Sequence, residues 1–298
     1  MKIAITGANS RVGQTLIDHL LRDSEIEVIA GARSLAALVN LPESSRIHPV
    51  AIAYDKVEPL AAALKGATCL VHLAGILMEG KGSTYRSANV DATRSVVRAA
   101  KQAGVNHVVF ISVVGAHPDS ANPYFRSKGE AEMLVAQCGI SSTIIRTPML
   151  LGPGAAGAAA ISGVASRPRA KLLGGGNYTM RPLDIDDLCV AILNVCRQQP
   201  QGTRTHELVG PEPKKYSEII RQAAALLGNP IQIGSVPIWA VRLGAQVRSL
   251  FSSGGITPAV LDVITMNEEV SHNADQDLGV SLTPLATTLS KFLKSPKS

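Results

Sequence analysis

Residues 2–21, KIAITGANSRVGQTLIDHLL, contain a strand, a turn and a helix in the order that decides the fold. The segment KIAIT (2–6) is a continuous apolar run, typical of a strand buried on both faces. QTLIDHLLRD (14–23) has the spacing of an amphipathic helix. Gly7 opens the turn between them and Gly13 lies on the helix. Because glycine permits a close backbone approach and a helix N-terminus directs N–H groups at an anion, the stretch predicts a pyrophosphate-binding loop.

The loop departs from the GxGxxG spacing of many dinucleotide sites. Its glycines are spaced GxxxxxG, and Ser10 stands where a middle glycine is common. The position of the turn, directly after the first strand and before a helix, is what makes the match specific. We expect Asn9, Ser10, Arg11 and Val12 to contact the dinucleotide together with the two glycines, Val12 packing inward.

Strands and helices alternate through the first 152 residues. Apolar strand segments recur at 27–32, 69–75, 107–113 and 142–152, and helical segments at 57–66, 91–104 and 127–139. This alternation predicts an α/β fold with a doubly wound (Rossmann) parallel sheet. The rhythm breaks after Gly152, and a helix at 183–198 and a strand at 205–210 restore it. We assign 1–152 plus about 179–210 to the dinucleotide-binding domain, and 153–178 with about 211–298 to a smaller C-terminal lobe on the substrate side.

Composition excludes several classes of function. The 298 residues are 46% hydrophobic and 17% charged, as in globular proteins. Aromatic residues make up 3% and the basic residues behind the +6 net charge are scattered, so we expect no nucleic-acid partner. The histidines lack metal-ligand spacing and the four cysteines form no CxxC pair, which predicts no metal site and a reducing compartment. No signal peptide or apolar run of ~20 residues is visible, which favours a cytoplasmic location.

The second strand ends in GARS (31–34), which bears on the choice of dinucleotide. An NAD-selective site usually has an acid there that binds the ribose 2′-hydroxyl. Arg33 takes that place and Arg11 lies in the loop, and guanidinium groups suit a 2′-phosphate. We therefore expect NADP(H), with NAD(H) as the alternative; two surface arginines are the competing interpretation.

These segments together resemble the short-chain dehydrogenase/reductase superfamily, in its extended or atypical branch. The resemblance covers nearly the whole chain and rests on TGANSRVG (6–13), HLAG (72–75), NVDAT (89–93), VVFIS (108–112), YFRSK (124–128) and IIRTPMLLGPG (144–154). Within the branch, YFRSKGEAE (124–132) and the late segments TPAVLDVITMNEEV (257–270) and DLGVSLTPLATTLSKFL (277–293) are similar to the NADPH-binding accessory subunit of respiratory complex I and its bacterial relatives. UDP-sugar epimerases and NmrA-like redox sensors are more distant comparisons.

The resemblance implies a catalytic pair in YFRSK, with Tyr124 as the general acid–base. Lys128 would lower the pKa of Tyr124 and hold the nicotinamide ribose. Residues four apart share one face of a helix. Lowering a tyrosine pKa from ~10 to ~7 requires about 4 kcal/mol, which a cation ~4 Å away supplies at an effective dielectric of ~20. The competing interpretation is an exposed helical turn.

One departure weakens catalysis more than binding. Relatives usually carry a hydroxyl residue at the second position of a Ser-Ser pair that ends this strand, and here Ser112 is followed by Val113. Ser112 serves as the catalytic hydroxyl only if the register shifts. Asn89 matches a family asparagine near the cofactor or an active-site water, and alternatively caps the helix that follows.

The resemblance implies further cofactor contacts, each with a structural alternative. Asp55 resembles the acid that contacts the adenine amine, or is a turn residue. Arg146 resembles an interior family arginine and has a structural role as its alternative. The remaining contacts implied are Leu73, Ala74, Gly75, Lys128 and Pro148.

Two functions of different classes follow. One is an enzyme, an NADP(H)-dependent oxidoreductase or an epimerase that oxidises its substrate transiently, with Tyr124 exchanging the proton. The other is an accessory, assembly or sensor protein that binds NADPH without turnover and is associated with a respiratory complex. The substrate is a small molecule that the sequence does not identify, and 153–178 and 230–272 are expected to form its pocket. No oligomeric state is predicted.

The segment PIWAVRLGAQVRSLF (237–251) has an apolar stripe at Ala240, Leu243, Val247, Leu250 and Phe251. We expect a lobe helix whose stripe faces the core. The alternative is a surface that docks on a membrane or a membrane-bound partner, which a basic amphipathic helix containing Trp239 would suit. The exposure of Trp239 distinguishes the two.

Overall fold

The computed structural model describes residues 1–249 and 255–293. The strands are β1 Lys2–Thr6, β2 Glu27–Ala32, β3 Ile47–Ala51, β4 Cys69–His72, β5 His107–Val113, β6 Ser141–Thr147, β7 Leu150–Leu151, β8 Arg169–Leu173, β9 Thr179–Met180, β10 Leu183–Asp184, β11 Thr203–Glu207, β12 Lys214–Lys215 and β13 Gln232–Val236. The helices are α1 Arg11–Leu20, α2 Val57–Ala63, α3 Ala92–Ala103, α4 Pro123–Ala136, α5 Ala156–Ala165, α6 Ile185–Gln198, α7 Tyr216–Leu226, α8 Ile238–Ser249, α9 Pro258–Ile264 and α10 Leu285–Ser290. A π-helical turn, Arg86–Asp91, leads into α3.

Seven parallel strands form one sheet in the order β11-β6-β5-β4-β1-β2-β3. Helices α1 and α6 pack on one face, where Leu16 and Ile192 are fully buried. Helices α2, α3 and α4 pack on the other, where Leu60, Val96 and Val135 are buried. The strand order reverses at β1, where crossovers leave in both directions and the carboxyl ends open a crevice. The predicted doubly wound α/β fold is confirmed.

Strand β3 has no counterpart in the sequence prediction. It lies at the edge of the sheet, beside β2. Its sequence IHPVA contains Pro49, and the strand is mostly exposed. Proline is tolerated on an edge strand because its missing N–H can face solvent. The other strands were predicted from continuous apolar runs. An exposed edge strand needs no such run, so β3 was not predicted.

Helix α4 begins earlier than its apolar periodicity predicted. Asn122 caps it: its side-chain oxygen accepts from the backbone N–H groups of Tyr124 and Phe125. Pro123 occupies the first helical turn, where a missing N–H is harmless. The helix therefore contains Tyr124 in its first turn and Lys128 one turn later.

The smaller lobe has a core of its own, to which α5, α7 and α10 contribute. The structure differs from the sequence assignment at 274–282, which was placed in the lobe. Ala274, Leu278 and Val280 are buried in the same cluster as Ile3 and Ile5 of β1. The C-terminal part of the chain thus packs on both cores.

Three carboxylates at the start of α6 fix this C-terminal segment. The Lys291 ammonium lies 2.7 Å from carboxylate oxygens of both Asp184 and Asp186. Asp187 accepts from the backbone N–H and the hydroxyl of Thr283, each at 2.7 Å. Carboxylates at a helix N-terminus are favoured by the dipole, and here they also bind another segment.

Helix α8 does not bury the predicted stripe. Leu243 is 57% exposed and Trp239 is 72% exposed, whereas Ala245 is buried. Leu250 and Phe251 lie outside the described residues, as does the side chain of Val247. The expectation that this stripe faces the core is wrong at Leu243. None of the described helices is long and apolar enough to cross a membrane.

Candidate active site

The loop after β1 is shaped by its two glycines. Gly7 has φ +79°, and a Cβ there would lie 3.1 Å from the backbone nitrogen of Ala74. A Cβ on Gly13 would lie 2.6 Å from the carbonyl oxygen of Ala8. Ser10 caps α1 by accepting from the Gly13 N–H at 3.1 Å. Ser10, which stands where a middle glycine is common, therefore caps the N-terminus of α1 and does not obstruct it.

A cavity of about 320 Å³, the loop cavity, opens at the carboxyl ends of β1, β2 and β4. Predicted cofactor contacts that line it are Gly7, Asn9, Ser10, Arg33, Leu73, Ala74 and Gly75. Sequence reasoning missed Tyr54, Ile76, Gly82, Ser83, Ser87, Ala88 and Ala92. Most of the missed residues lie in the connection from β4 to α3, which folds back over the loop and carries no motif that would have signalled this.

Tyr54, rather than Asp55, lines the loop cavity beside Arg33. Burial raises the pKa of Tyr54 to about 12, against the opposing effects of a hydrogen bond with Thr6 and of the Arg33 charge. Tyr54 is therefore neutral at physiological pH and offers a hydroxyl and a ring. Asp55 is exposed and lies outside the lining of the cavity. The predicted contact of Asp55 with the adenine amine finds no support in this geometry, since Tyr54 and not Asp55 forms the cavity wall.

A second cavity, the apolar cavity, has a volume of about 460 Å³ and shares Ser10 with the loop cavity. The predicted residues Arg11, Val12, Tyr124 and Pro148 line it. The other lining residues are Leu77, Val113, Val114, Met149, Leu150, Ala155, Ala156, Gly157, Ala160, Met180, Ile185, Val263, Ile264, Met266 and Glu268. The parts of the predicted pocket segments that contribute are thus 155–160 and 263–268. Residues 169–173 and 232–236 instead pair with each other as β8 and β13.

Tyr124 and Lys128 lie on one helix with different surroundings. Tyr124 lines the apolar cavity, and its ring centroid is 5.8 Å from that of Tyr85. Lys128 is buried; its ammonium donates to the carbonyl oxygen of Ile111 at 2.8 Å and lies 4.3 Å from the Phe110 ring centroid. A Cβ on Gly75 would lie 3.9 Å from that ammonium. Lys128 therefore lies behind the Gly75 wall of the loop cavity.

The two pKa values do not follow the predicted pattern. Burial and the neighbouring Tyr85 raise the pKa of Tyr124. Burial lowers the pKa of Lys128 to about 8, and Glu132 opposes this shift in part. The expected lowering of the Tyr124 pKa by Lys128 is absent from this arrangement. Desolvation is the larger effect on both groups, because Lys128 is buried and the Tyr124 ring packs against Tyr85 and Phe125.

Ser112 and Val113 lie on opposite faces of β5. Side chains alternate along a strand, so Ser112 shares the face of Phe110, which α4 covers. The Ser112 hydroxyl is buried and has no hydrogen-bond partner among the described residues. Val113 lines the apolar cavity beside Tyr124. Ser112 therefore does not line the apolar cavity, and the register shift that its predicted catalytic role requires is absent from the pairing of β5 with β6.

Asn89 holds the cavity wall and does not cap a helix. It lies within the π-helical turn that precedes α3, and such turns are frequent at functional sites. Its amide oxygen accepts from the Ile76 N–H at 2.8 Å, and its NH2 group donates to the Ile76 carbonyl and the Ser127 hydroxyl. Asn89 thereby joins the segment after β4 to α4.

Arg146 has a structural role. Its guanidinium donates to both carboxylate oxygens of Glu132, at 3.0 and 2.8 Å, and lies 3.4 Å from Glu207. The hydrogen bonds with Glu132 raise the pKa of Arg146 further. This bidentate pair joins β6 to α4.

The glycine cradle fits a dinucleotide. Side chains at Gly7 and Gly13 would collide with backbone, so the N–H groups at the start of α1 stay accessible to a phosphate. Arg33 lies in the cavity at the end of β2, where the ribose of a bound dinucleotide would be expected. The apolar cavity begins at Ser10 and extends the crevice towards Tyr124.

The sequence matches the NAD(P)H-binding family over residues 7–194. The chain belongs to this family. It is 24% identical over 267 residues to ceramide reductase from Caulobacter vibrioides, covering 87% of this chain and 80% of that protein. It is also 24% identical over 283 residues to 2-alkyl-3-oxoalkanoate reductase from Stenotrophomonas maltophilia, covering 84% and 83%.

The fold is similar to that of UDP-glucuronic acid 4-epimerase from Bacillus cereus in complex with NAD. The TM-score is 0.76 at 18% identity, with 98% of this chain and 97% of that chain covered. An identity this low shows the fold alone. Membership in the NAD(P)H-binding family confirms the coarser part of the prediction, an NAD(P)-binding protein with a Rossmann-like fold.

Proposed function

We propose that the protein is an NADP(H)-dependent oxidoreductase in which Tyr124 exchanges a proton with the substrate. The observation that carries this proposal is the position of Tyr124 on the wall of a cavity that meets the loop cavity at Ser10. A substrate there would lie between the tyrosine and a dinucleotide held at the loop. The two curated relatives above are named as reductases, which supports reduction over epimerisation.

In the proposed reaction the cofactor supplies the hydride and the protein supplies the proton. NADPH, when bound, supplies the hydride that reduces a carbonyl carbon to an alcohol. Tyr124 donates its hydroxyl proton to the carbonyl oxygen and recovers a proton from solvent, so charge and protons balance. Lys128 lies behind Gly75 and is the group that would orient the nicotinamide ribose. Gly7, Asn9 and Ser10 form the phosphate side of the site.

The proposal is tested first by identifying the co-purified cofactor and then by measuring NADPH oxidation with quinones, ketones and nucleotide sugars. For any substrate that is turned over, Tyr124→Phe should lower kcat by at least a hundredfold, because general acid–base catalysis contributes about 10²–10⁴-fold. The Kd for NADPH should change little. A Tyr124→Phe variant with full kcat would place the proton donor elsewhere.

One observation favours the second candidate, an NADPH-binding accessory, assembly or sensor protein. Val113 stands on the cavity wall where the family resemblance implies a hydroxyl that binds the substrate carbonyl. Val113→Ser tests this directly. An increase in kcat supports an enzyme with weakened carbonyl binding, whereas NADPH binding without turnover in both proteins supports the accessory role.

The accessory candidate extends to location and partner. A cytoplasmic protein that contacts a respiratory complex or a membrane surface would need an exposed apolar face. Trp239 and Leu243 on α8 provide one, with Arg242 beside them. We infer that α8 is the docking element for this partner.

A further inference from the structure

The walls of the apolar cavity are built almost entirely from aliphatic and small side chains. Small residues of α5 line one side: Ala155, Ala156, Gly157 and Ala160. Larger ones come from the end of β5, from 148–150 after β6, and from the end of α9 and the residues that follow it: Val113, Val114, Pro148, Met149, Leu150, Val263, Ile264 and Met266. The small side chains leave space for a ligand in the cavity, and the larger side chains make the cavity wall apolar.

Most polar groups that line the apolar cavity already make hydrogen bonds within the protein or lie beside the phosphate loop. Burial raises the pKa of Glu268, whose carboxylate accepts from the backbone N–H groups of Arg181 and Met149. Ser10 caps α1, and Arg11 is an exposed residue of the first turn of that helix. The Tyr124 hydroxyl has no hydrogen-bond partner among the described residues and so is available to a ligand.

This chemistry disfavours a nucleotide sugar as the substrate. A diphosphate and a sugar require cations and many hydrogen-bond donors. Among the described lining residues Arg11 is the sole cation, and it lies at the loop where the cofactor phosphates are expected. Glu268 would repel an anion in its charged form and offers its oxygens to backbone N–H groups already.

The cavity also has an apolar edge open to solvent. Leu77 lines the cavity and Met78 beside it is 51% exposed. The Tyr85 hydroxyl donates to the Leu77 carbonyl at 2.8 Å and contacts Thr257, next to the exposed Ile256. Exposed apolar groups at the edge of an apolar cavity provide a path for a chain longer than the cavity.

We propose that the apolar cavity binds the unbranched aliphatic chain of a ketone, or of the corresponding secondary alcohol, whose oxygen meets the Tyr124 hydroxyl. The inference rests on the proposed function for the role of Tyr124. The chain lies against α5 and α9 and is directed towards Leu77 and Met78.

The test is the Kd of methyl ketones of increasing length, from butan-2-one to undecan-2-one, for the full chain saturated with NADP⁺. Each additional methylene should lower the Kd by up to about fourfold, the equivalent of ~0.8 kcal/mol per buried CH2. UDP-glucose should neither bind in the same range nor displace undecan-2-one. A Kd independent of chain length, or displacement by UDP-glucose, would overturn the inference.

A matched pair of variants on α5 localises the chain. Ala160→Leu places side-chain atoms in the cavity and should weaken undecan-2-one binding by about tenfold, roughly the loss of two buried methylenes. Ala159→Leu changes an exposed neighbour outside the cavity lining and should leave the Kd unchanged. Equal Kd values for the two variants would place the chain elsewhere.

NADPH binding is measured on the same proteins. If the ketones bind with the predicted length dependence while NADPH is oxidised with none of them, the cavity assignment stands and the proposed function fails. If NADPH binds and is oxidised with ketones of every length at equal kcat/KM and Kd, the proposed function stands and this inference fails.

Discussion

We propose that the choice of dinucleotide depends on Arg33. It lies in the loop cavity at the end of β2, beside the neutral Tyr54. A phosphate on the 2′ position of the ribose would meet its guanidinium there, and an unmodified hydroxyl would gain less.

We expect NADPH to bind more tightly than NADH, and Arg33→Ala to remove most of that difference. A hydrogen bond to a charged group contributes about 1.5–3 kcal/mol, so the Kd for NADPH should rise roughly ten- to a hundredfold. Calorimetry with both dinucleotides measures this, and the NADH affinity of the same variant is the control. Equal wild-type affinities for the two dinucleotides would contradict the prediction.

Lys128 should carry a measurable stability penalty in the absence of cofactor. Its pKa is about 8 in the folded protein against an ordinary value of 10.5, so the unfolded chain binds more protons between these pH values. The penalty, about 3 kcal/mol at ~1.4 kcal/mol per pKa unit, is complete below about pH 8 and disappears as the pH rises through 10.5. Wild-type stability should therefore gain from rising pH in this window.

Lys128→Met removes that buried charge. We expect it to raise the free energy of unfolding at pH 7, and its advantage over the wild type to shrink as the pH approaches 10.5. Urea denaturation across this range measures the difference, with Lys65→Met, at an exposed position, as the control. A variant that is less stable than the wild type at every pH would show that the hydrogen bond to Ile111 outweighs desolvation.

Sequence reasoning at this scale found residues with a recognisable motif and missed those without one. Gly7 and Arg33 occupy positions that the strand–turn–helix pattern defines, and both line the loop cavity. Tyr54 could not be found because its role depends on where the edge of the sheet brings it. The family motif predicted that Ser112 acts together with Tyr124. Side chains alternate along β5, however, and Val113 is the residue that lines the apolar cavity.

Elements were predictable where burial imposed a pattern. The prediction for β5, 107–113, matches the structure, because a central strand is apolar on both faces. The exposed β3 gave no such signal. Helix α4 was placed late because its first turn is determined by a cap and a proline, while the search followed apolar spacing.

Helix α8 provides a prediction at this scale. Trp239 is the single tryptophan of the chain and is 72% exposed. The free protein should therefore show the red-shifted emission of an indole in water. If α8 docks on membranes, vesicles of phosphatidylcholine and phosphatidylserine should shift the emission to the blue, since an interfacial helix buries its aromatic side chains.

The controls are neutral vesicles and the variant Leu243→Asp, which places a charge on the same exposed face. Both should reduce the shift. Blue-shifted emission in the free protein would instead indicate that Trp239 is buried, and would favour the first interpretation, in which α8 packs against the core.

At the scale of the whole molecule, the C-terminal segment joins the two cores. Lys291 contacts Asp184, whose side chain is fully buried, and Asp186. Removing one partner of a buried ion pair leaves an uncompensated charge. The sequence placed the three carboxylates correctly on the start of α6 but could not show that residues a hundred positions later bind them.

Lys291→Met should lower the free energy of unfolding by about 1–3 kcal/mol, between an exposed and a broken buried pair, because Asp184 is buried while the Lys291 side chain is 28% exposed. Chemical denaturation measures the loss, and Lys65→Met should change stability by no more than about 0.5 kcal/mol. A loss that small in Lys291→Met would mean that solvent already screens the pair.

Ala274, Leu278 and Val280 are buried in the core cluster that also contains β1, next to β11 and α6, and this placement also affects synthesis of the protein. A ribosome makes the sheet and the phosphate loop first, and the residues that complete this core follow much later in synthesis. The nascent chain therefore exposes part of this apolar core to solvent until residues 274–280 have been synthesised. During that interval the exposed apolar surface is a binding site for a chaperone, and firm capture of a dinucleotide waits for residues 274–280.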